Sequence, residues 1–535
     1  MTLSNVDLYS AGHRRGVVCA PHFGAVEAGH AIFAEGGNAL EAMLAMAASI
    51  AAVYPHMNHL GGDGFWLIRE PSGRVRTIMA AGPAGTNARL ELYHEHETIP
   101  TRGPLAALTV PGAVGGWMLA HEAAKAHGGS LPLDVLLASA IAQARSGYAV
   151  SRSQLRLTQE NLGGLQTAPG FAKAFLLPDG KAPPVGTVLK QEALAETLAH
   201  IAHAGLNDFY RGDVGREIAA DLERIGSPVT REDLQRYSAK LGDPLSTVLP
   251  VGTVYNTGAP TQGIMSLMIL ALFARCGVTQ GESFDHIHCL IEGTKPAMYA
   301  RDRYVTDPGR LPQSLERCLD DAYLANAIKN IDRRKAAPFG LTQGKADTIW
   351  MGAADASGLV VSYIQSLYWE FGSGCVLPKT GVLMQNRGAS FSLTRGALRE
   401  LGPGRLPFHT LNPALAVLND GRIMAYGCMG GDGQPQTQSA VFTRHVMFRE
   451  PLAEAIDRPR WVLGRTWGAP KTSLRLEPRF DGNLIEALAS AGHDVEVVPD
   501  AYSDVLGHAG AVVLHKDGML EGAHDPRSDG GAAGA

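Results

Sequence analysis

The stretch Lys345-Ala-Asp-Thr-Ile-Trp-Met-Gly-Ala-Ala-Asp-Ala-Ser-Gly358 divides the chain into two textures. Ahead of it, most periodic segments are helical. From Thr348 on, Thr348–Ala354, Leu359–Trp369, Gly381–Gln385, Ala414–Leu418 and Arg422–Gly427 read as β-strands, separated by Gly, Asp-Gly or Pro turns. The same stretch carries a chemical option. A threonine hydroxyl is a weak nucleophile, and no base stands beside Thr348 in sequence. A cut between Asp347 and Thr348 would free an α-amine that can serve as that base. Such an amine titrates at about pH 8 in model peptides, so part of it is neutral in a cell. The bland reading of Thr348 is a residue that opens an apolar strand.

Working outward, Ala25–Val53 reads as helix, broken at Gly36-Gly37-Asn38. Its Ala/Leu/Met-rich second half suggests a helix covered on nearly all sides. His59–Ile68 reads as a glycine turn leading into a strand. Leu131–Ser146 and Gln191–Ala204 are amphipathic, and Thr230-Arg-Glu-Asp233 is a capped helix start. Ser283–Arg303 reads as one long helix, Gln436–Phe448 as another, and Asn483–His515 as a closing αβ portion. Mixed α/β architecture with a central, largely antiparallel sheet fits this order better than alternating βαβ units.

Composition excludes several classes. The 535 residues carry 47 basic and 52 acidic side chains, a net charge of -5, which leaves no electrostatic footprint for nucleic acid or an anionic membrane. Polar residues interrupt Met1–Val18, which argues against a secretory signal, and the longest apolar run, Ala42–Val53, is too short to span a bilayer. The six scattered cysteines have no metal-like spacing and read as reduced, buried thiols in a cytoplasmic protein.

Other motifs weaken on inspection. The pair in Asp285-His-Ile-His-Cys289 would share a face on a strand, but the periodicity there is helical, which sets the two about 200° apart. No other Asp/His set in the sequence completes a metal site for them, so neither a metal nor a cofactor is expected. Gly340–Ala346 is too short for a P-loop and lacks the hydroxyl residue after its lysine. Gly61-Gly62-Asp63-Gly64 lacks dinucleotide-binding spacing, and there is no Gly-x-Ser-x-Gly elbow. Gly427-Cys-Met-Gly-Gly-Asp-Gly433, between a strand and a helix, is either an ordinary turn or a set of backbone N–H groups suited to an oxyanion.

A set of short segments then falls into order. They are Glu35–Ala42, Leu60–Phe65, Thr109–Ala113, Phe209–Gly212, Glu232–Tyr237, Ala259–Gly263, Ala300–Arg303, Phe371–Gly374, Gly430-Gly431 and Asp525–Arg527. In this order the chain resembles the γ-glutamyltranspeptidase family of N-terminal-nucleophile hydrolases. The resemblance implies an α/β (α+β) fold, a four-layer αββα sandwich. It also implies a precursor that cuts itself at Asp347/Thr348 into a large chain, 1–347, and a small chain, 348–535, intertwined in one domain and open to pairing as a homodimer. By the same resemblance Thr348 is the nucleophile, Ser366 supports it, and Gly430 and Gly431 form the oxyanion pair.

The departures from the family pattern point to a different substrate. The arginine that pairs with a glutamyl α-carboxylate falls on Met79, and its acidic neighbour on Ala80. Two head-group ligands fall on Tyr368 and Ser390, tandem serines fall on His409 and Thr410, and the Thr-His after the nucleophile reads Ile349-Trp350. The expected substrate-binding set is Trp350, Tyr368, His409, Thr410 and Arg387, with Trp350 lining a shrunken pocket beside Thr348. The expected reaction is hydrolysis of a small carboxylic acid amide, oxamate to oxalate and ammonia. The alternatives are transfer or hydrolysis of γ-glutamyl groups, a cephalosporin-acylase-like amidase, and a family member without activity.

Overall fold

The computed structural model describes residues 7–340, 347–464 and 471–535; of Asp347 only the backbone is described. Two seven-stranded antiparallel sheets lie face to face. The first runs Gly531–Gly534, Gly16–Ala20, Asp347–Asp355, Val360–Tyr368, Asp63–Arg69, Val75–Ala80 and Lys240–Gly242. The second runs Tyr9–His13, Leu520–His524, Ala509–Leu514, Ile423–Cys428, Ala414–Leu418, Gly252–Asn256 and Leu245–Leu249.

Alternation along each strand builds the layers, because successive side chains point to opposite faces. Ile349, Met351 and Ala353 join a core with the helices Phe23–Ala34, Ala39–Val53 and Ala113–Ala126. Trp350 and Ala354, from the same strand, join Phe65, Ile364, Leu415 and Val512 between the sheets. On the far side, Gly263–Cys276, Phe284–Tyr304 and Gln434–Phe442 cover the second sheet. The result is the four-layer αββα sandwich. The nearly all-apolar pattern of Ala39–Val53, broken only by Glu41 and Ser49, follows from its place between the first sheet and other helices; every residue in it is buried. Asn38 caps that helix by accepting from Leu40 and Glu41 N–H, and Thr230 forms the second capping box.

Two local readings need correction. Gly381–Gln385 is not a strand of either sheet; it makes only the isolated bridges Val376–Leu383 and Gly61–Met384. The helix read as Gln436–Phe448 begins at Gln434, and its last turn, Thr443–Met447, widens to π geometry. All six cysteines are buried and free. No described helix is long and apolar enough to cross a membrane.

Candidate active site

Thr348 opens the strand Asp347–Asp355 on its inter-sheet side and is fully buried. Register with Val360–Tyr368 slips here: Asp347 pairs with Tyr368, but Ile349 pairs with Gln365. Ser366 and Leu367 therefore stand together opposite Thr348, a β-bulge of the kind that re-aims side chains beside sites. The bulged strand ends at Tyr368 with φ 87°, a conformation that is strained for a bulky residue. Ser366 Oγ accepts from the Tyr368 N–H at 2.7 Å and from Arg387 Nη2 at 3.4 Å.

The second sheet supplies the facing wall. Beyond Ile423–Cys428 the chain turns through Gly430 at φ 116° and Gly431 at φ 52°, angles that L side chains rarely adopt. Gln262 braces this turn: its Nε2 donates to the carbonyls of Thr410 (2.6 Å) and Gly431 (2.8 Å). Its Oε1 accepts from Arg301 Nη1 at 3.1 Å, and the same nitrogen meets Asp432 Oδ1 at 2.6 Å. Segments Ala259–Gly263 and Ala300–Arg303, which looked unrelated in sequence, thus meet at one turn. Past it, Gln434 Nε2 donates to Thr348 Oγ1 at 3.3 Å.

A second polar group lies beside Ser366. Arg387 is fully buried, with its guanidinium 4.0 Å over the Tyr368 ring. Among the described residues its Nε and Nη1 have no hydrogen-bond partner. His409 is also fully buried; its Nε2 is 3.5 Å from Asp63 Oδ2 and its ring packs edge-on to Phe65. Burial, then the nearby Arg387 charge, lowers His409 well below the usual imidazole range, so the ring is neutral. Burial pushes Asp63 up to about 7 against the opposing pull of Arg387 and of hydrogen bonds. Arg387 itself is lowered by burial to about 10 and stays charged near neutrality.

Asp63 also explains several of the short segments. Its Oδ1 accepts from Gly82 (2.9 Å) and Gly112 (3.0 Å) N–H, tying Leu60–Phe65 to Thr109–Ala113. Tyr210 Oη donates to the Pro111 carbonyl and Tyr237 Oη to the Gly112 carbonyl, so two further segments close on the same loop. A Cβ on Gly82 or Gly112 would clash with backbone there.

The structure gathers Thr348, Ser366, Tyr368, Arg387, His409, Thr410, Gly430 and Gly431 at this end of the two sheets. Trp350 is placed differently. Its indole shares the Thr348 face but runs along the sheet away from it, donating Nε1–H to Ser362 Oγ at 2.9 Å. It fills the space that Gly352, Gly427 and Gly510 leave open, and so belongs to the inter-sheet core and not to a pocket wall. Most of the stretch Gly340–Ala346, including Lys345 and Ala346, lies outside the described residues. Gln262 and Arg301 entered the sequence analysis only within Ala259–Gly263 and Ala300–Arg303, without a role, and Asn412 and Gln434 not at all, because an isolated glutamine or asparagine carries no spacing signal.

The reading of Asp285–Cys289 also changes. His286 and His288 do diverge on a helix, and His286 Nε2 lies 2.8 Å from Thr443 Oγ1. However, Glu292 stands one turn from His288 on the same helix and tertiary structure brings His493 to the pair, with one ligand-type atom of each within 4.8 Å of the others. This cluster is internally paired. His288 and His493 share a 2.8 Å hydrogen bond, and Lys295 Nζ and the Ala337 N–H bond the two Glu292 oxygens. The Lys295 ammonium already supplies the positive charge there.

Comparison with known proteins agrees with the fold. The γ-glutamyltranspeptidase family model matches residues 25–535. The chain is 49% identical to the oxamate amidohydrolase proenzyme of Klebsiella pneumoniae, covering 97% of this chain and 98% of that one. It is 38% identical to the glutathione hydrolase-like YwrD proenzyme of Bacillus subtilis, over 97% and 98%. The crystal structure of cephalosporin acylase from Bacillus halodurans superposes with a TM-score of 0.89 at 30% identity, over 100% and 98% of the two chains. With the sandwich and the clustered segments, these matches establish that the chain belongs to the γ-glutamyltranspeptidase family and is a hydrolase of the N-terminal-nucleophile class.

Proposed function

We propose that the chain is a self-processing amidohydrolase that hydrolyses a small carboxylic acid amide, with oxamate as substrate and oxalate and ammonia as products. The observation that carries the substrate is Arg387. A buried guanidinium with two nitrogens unpartnered among the described residues is costly unless it meets an anion. It stands 3.4 Å from Ser366, which opposes the nucleophile across the bulge. The 49% identity to an oxamate amidohydrolase supports the same reading.

Cleavage between Asp347 and Thr348 gives chains 1–347 and 348–535 and frees the Thr348 α-amine. In turnover that amine takes the Oγ1 proton as Oγ1 attacks the amide carbonyl. The N–H groups of Gly430 and Gly431 hold the oxyanion. The carbon–nitrogen bond breaks, ammonia leaves with a proton, and water hydrolyses the acyl ester. Arg387 holds the carboxylate; Tyr368, under the guanidinium, limits pocket length; His409 and Thr410 offer neutral polar contacts.

Recognition of a γ-glutamyl group fits less well. Met79 packs partly buried against the inter-sheet core, and Asp63, the acid beside His409, has one oxygen committed to Gly82 and Gly112. The test is ammonia release from oxamate compared with glutamine and asparagine, beside turnover of a γ-glutamyl anilide with a dipeptide acceptor. Oxamate turnover that is lost in R387M is expected. Turnover of the anilide above oxamate would overturn the substrate.

A further inference from the structure

The hydrogen bonds around Thr348 fix the direction in which its hydroxyl is polarised. The starting point is the Thr410 carbonyl, which can only accept. Asn412 Nδ2 lies 2.9 Å from it, so the asparagine amide must turn its NH2 that way. The same Nδ2 lies 3.0 Å from the Gln434 side chain, which must therefore present its oxygen to Asn412. This leaves the Gln434 NH2 facing Thr348, where Nε2 is 3.3 Å from Oγ1. Thr348 Oγ1 accepts this bond, and its own proton points elsewhere. Each amide flip follows from the one before it, back to a backbone carbonyl.

The relay is built into the core. Asn412, Gln434 and Thr348 are all fully buried. The Asn412 carbonyl accepts from Gln438 Nε2 at 2.6 Å, and Gln438 Oε1 accepts from Ser266 at 2.7 Å, which fixes the loop that carries Asn412. Gln434 is the first residue of the helix Gln434–Phe442, directly after the Gly430–Gly433 turn, so one short segment reaches both Oγ1 and the oxyanion position. The relay is present in the uncut chain, before any α-amine exists.

We propose that Gln434 is a positioning residue for the nucleophile, oriented by Asn412, in both self-cleavage and turnover. This rests on Thr348 being the nucleophile. In cleavage, Oγ1 bonds to the Asp347 carbonyl carbon, and the bond from that carbon to the Thr348 nitrogen breaks as the nitrogen takes a proton. Water then hydrolyses the ester to a carboxylate and the free hydroxyl. In turnover, the same oxygen gains negative charge as the α-amine removes its proton, and again as the acyl ester is hydrolysed. A fixed N–H aimed at Oγ1 favours those states and keeps the proton directed away from Gln434, toward the base.

The test uses Q434E, which keeps size and replaces the donor with an oxygen, Q434M, which removes both polar atoms, and N412D, which breaks the relay one step earlier. Fragment appearance by intact mass and steady-state ammonia release are read for each, with a melting curve. The expected result for all three is a loss of roughly 10- to 100-fold in cleavage rate and in kcat, with KM within about 2-fold of wild type. The Q434M/N412D double variant should be no slower than Q434M, because both act through one bond. Rates within about 2-fold of wild type for folded Q434M or Q434E, or additive losses in the double variant, would overturn the proposal. If Q434M does not melt cooperatively, Q434E and N412D decide. T348A separates the two levels: a cut, active T348A sinks the nucleophile itself, whereas an inert T348A beside an unaffected Q434E sinks only the relay.

Discussion

The two walls of the site are built on opposite principles. On the second-sheet wall, Gln262 commits both ends of its amide, and Arg301 joins it to Asp432. On the opposite wall, Arg387 Nε and Nη1 and Ser390 Oγ are buried without hydrogen-bond partners among the described residues, and from the braced wall the side chains of His409 and Thr410, whose backbone pairs with Pro260–Gln262, add unpartnered polar atoms facing them. The braced wall holds one backbone shape, which an oxyanion turn requires. The unpaired wall keeps polar groups whose desolvation is offset only by a ligand. In the proposed reaction one wall supplies geometry and the other supplies recognition.

The largest expected effect lies at the seam between the walls. T348A should leave one uncut chain by intact mass, with ammonia release reduced by at least about 1,000-fold. R387M, on the recognition wall, should lower kcat/KM for oxamate by roughly 100- to 1,000-fold, since a buried ionic contact is lost. Its melting temperature should stay level or rise, because an unpaired buried cation is replaced by an apolar chain. R301M should do the reverse of R387M in stability. It leaves Asp432 without its 2.6 Å partner and should cost about 3–5 kcal/mol in a denaturant titration. If R387M unfolds the protein and R301M does not, the contrast between the walls is wrong.

The smallest effect is a difference in pH dependence between two buried aspartates. Burial alone would raise Asp525, but Arg460 at 2.7 Å, Arg527 at 2.8 Å and the Ala509 N–H hold it well below the usual carboxylate range. Its stabilisation is therefore present above pH about 4 and is lost as pH falls toward the depressed folded value. Asp63 is shifted the other way, to about 7. Its contribution is complete below pH about 4 and is lost as pH rises through about 7. D525N should flatten the acid limb of stability against pH, and D63N should flatten the slope between about pH 4 and 7. Equal slopes in D63N and wild type across that interval would show that Asp63 stays ionised.

Much of the fold could be read from local pattern. The break at Gly36-Gly37-Asn38 gave two helices, the Thr230 cap appeared as read, and the strands around Thr348 and Ala414–Leu418 fell within a residue or two. Gly381–Gln385 had a strand's composition but no neighbouring edge to pair with along its length. Trp350 had the right parity, yet parity says nothing about which way an indole leans along the sheet. Three glycines distant in sequence made room for it on the side away from Thr348. His288, with Glu292 one helical turn away, gained His493 in the same way, from 205 positions further on.

The sequence by itself determined the setting of the proposed nucleophile: a threonine opening a buried strand, glycines able to form the turn at Gly430-Gly431, and ordered segments that mark the family. Those signals are local, because they arise from period-2 alternation and from backbone angles that few residues adopt. Tertiary structure alone decided that Gln262 and Arg301 brace that turn, that Arg387 lies over Tyr368 with Nε and Nη1 unpartnered among the described residues, and that Asn412 aims Gln434 at Thr348. Each of those depends on which donor meets which acceptor across two sheets, and an amide or guanidinium carries no trace in sequence of the partner it will find.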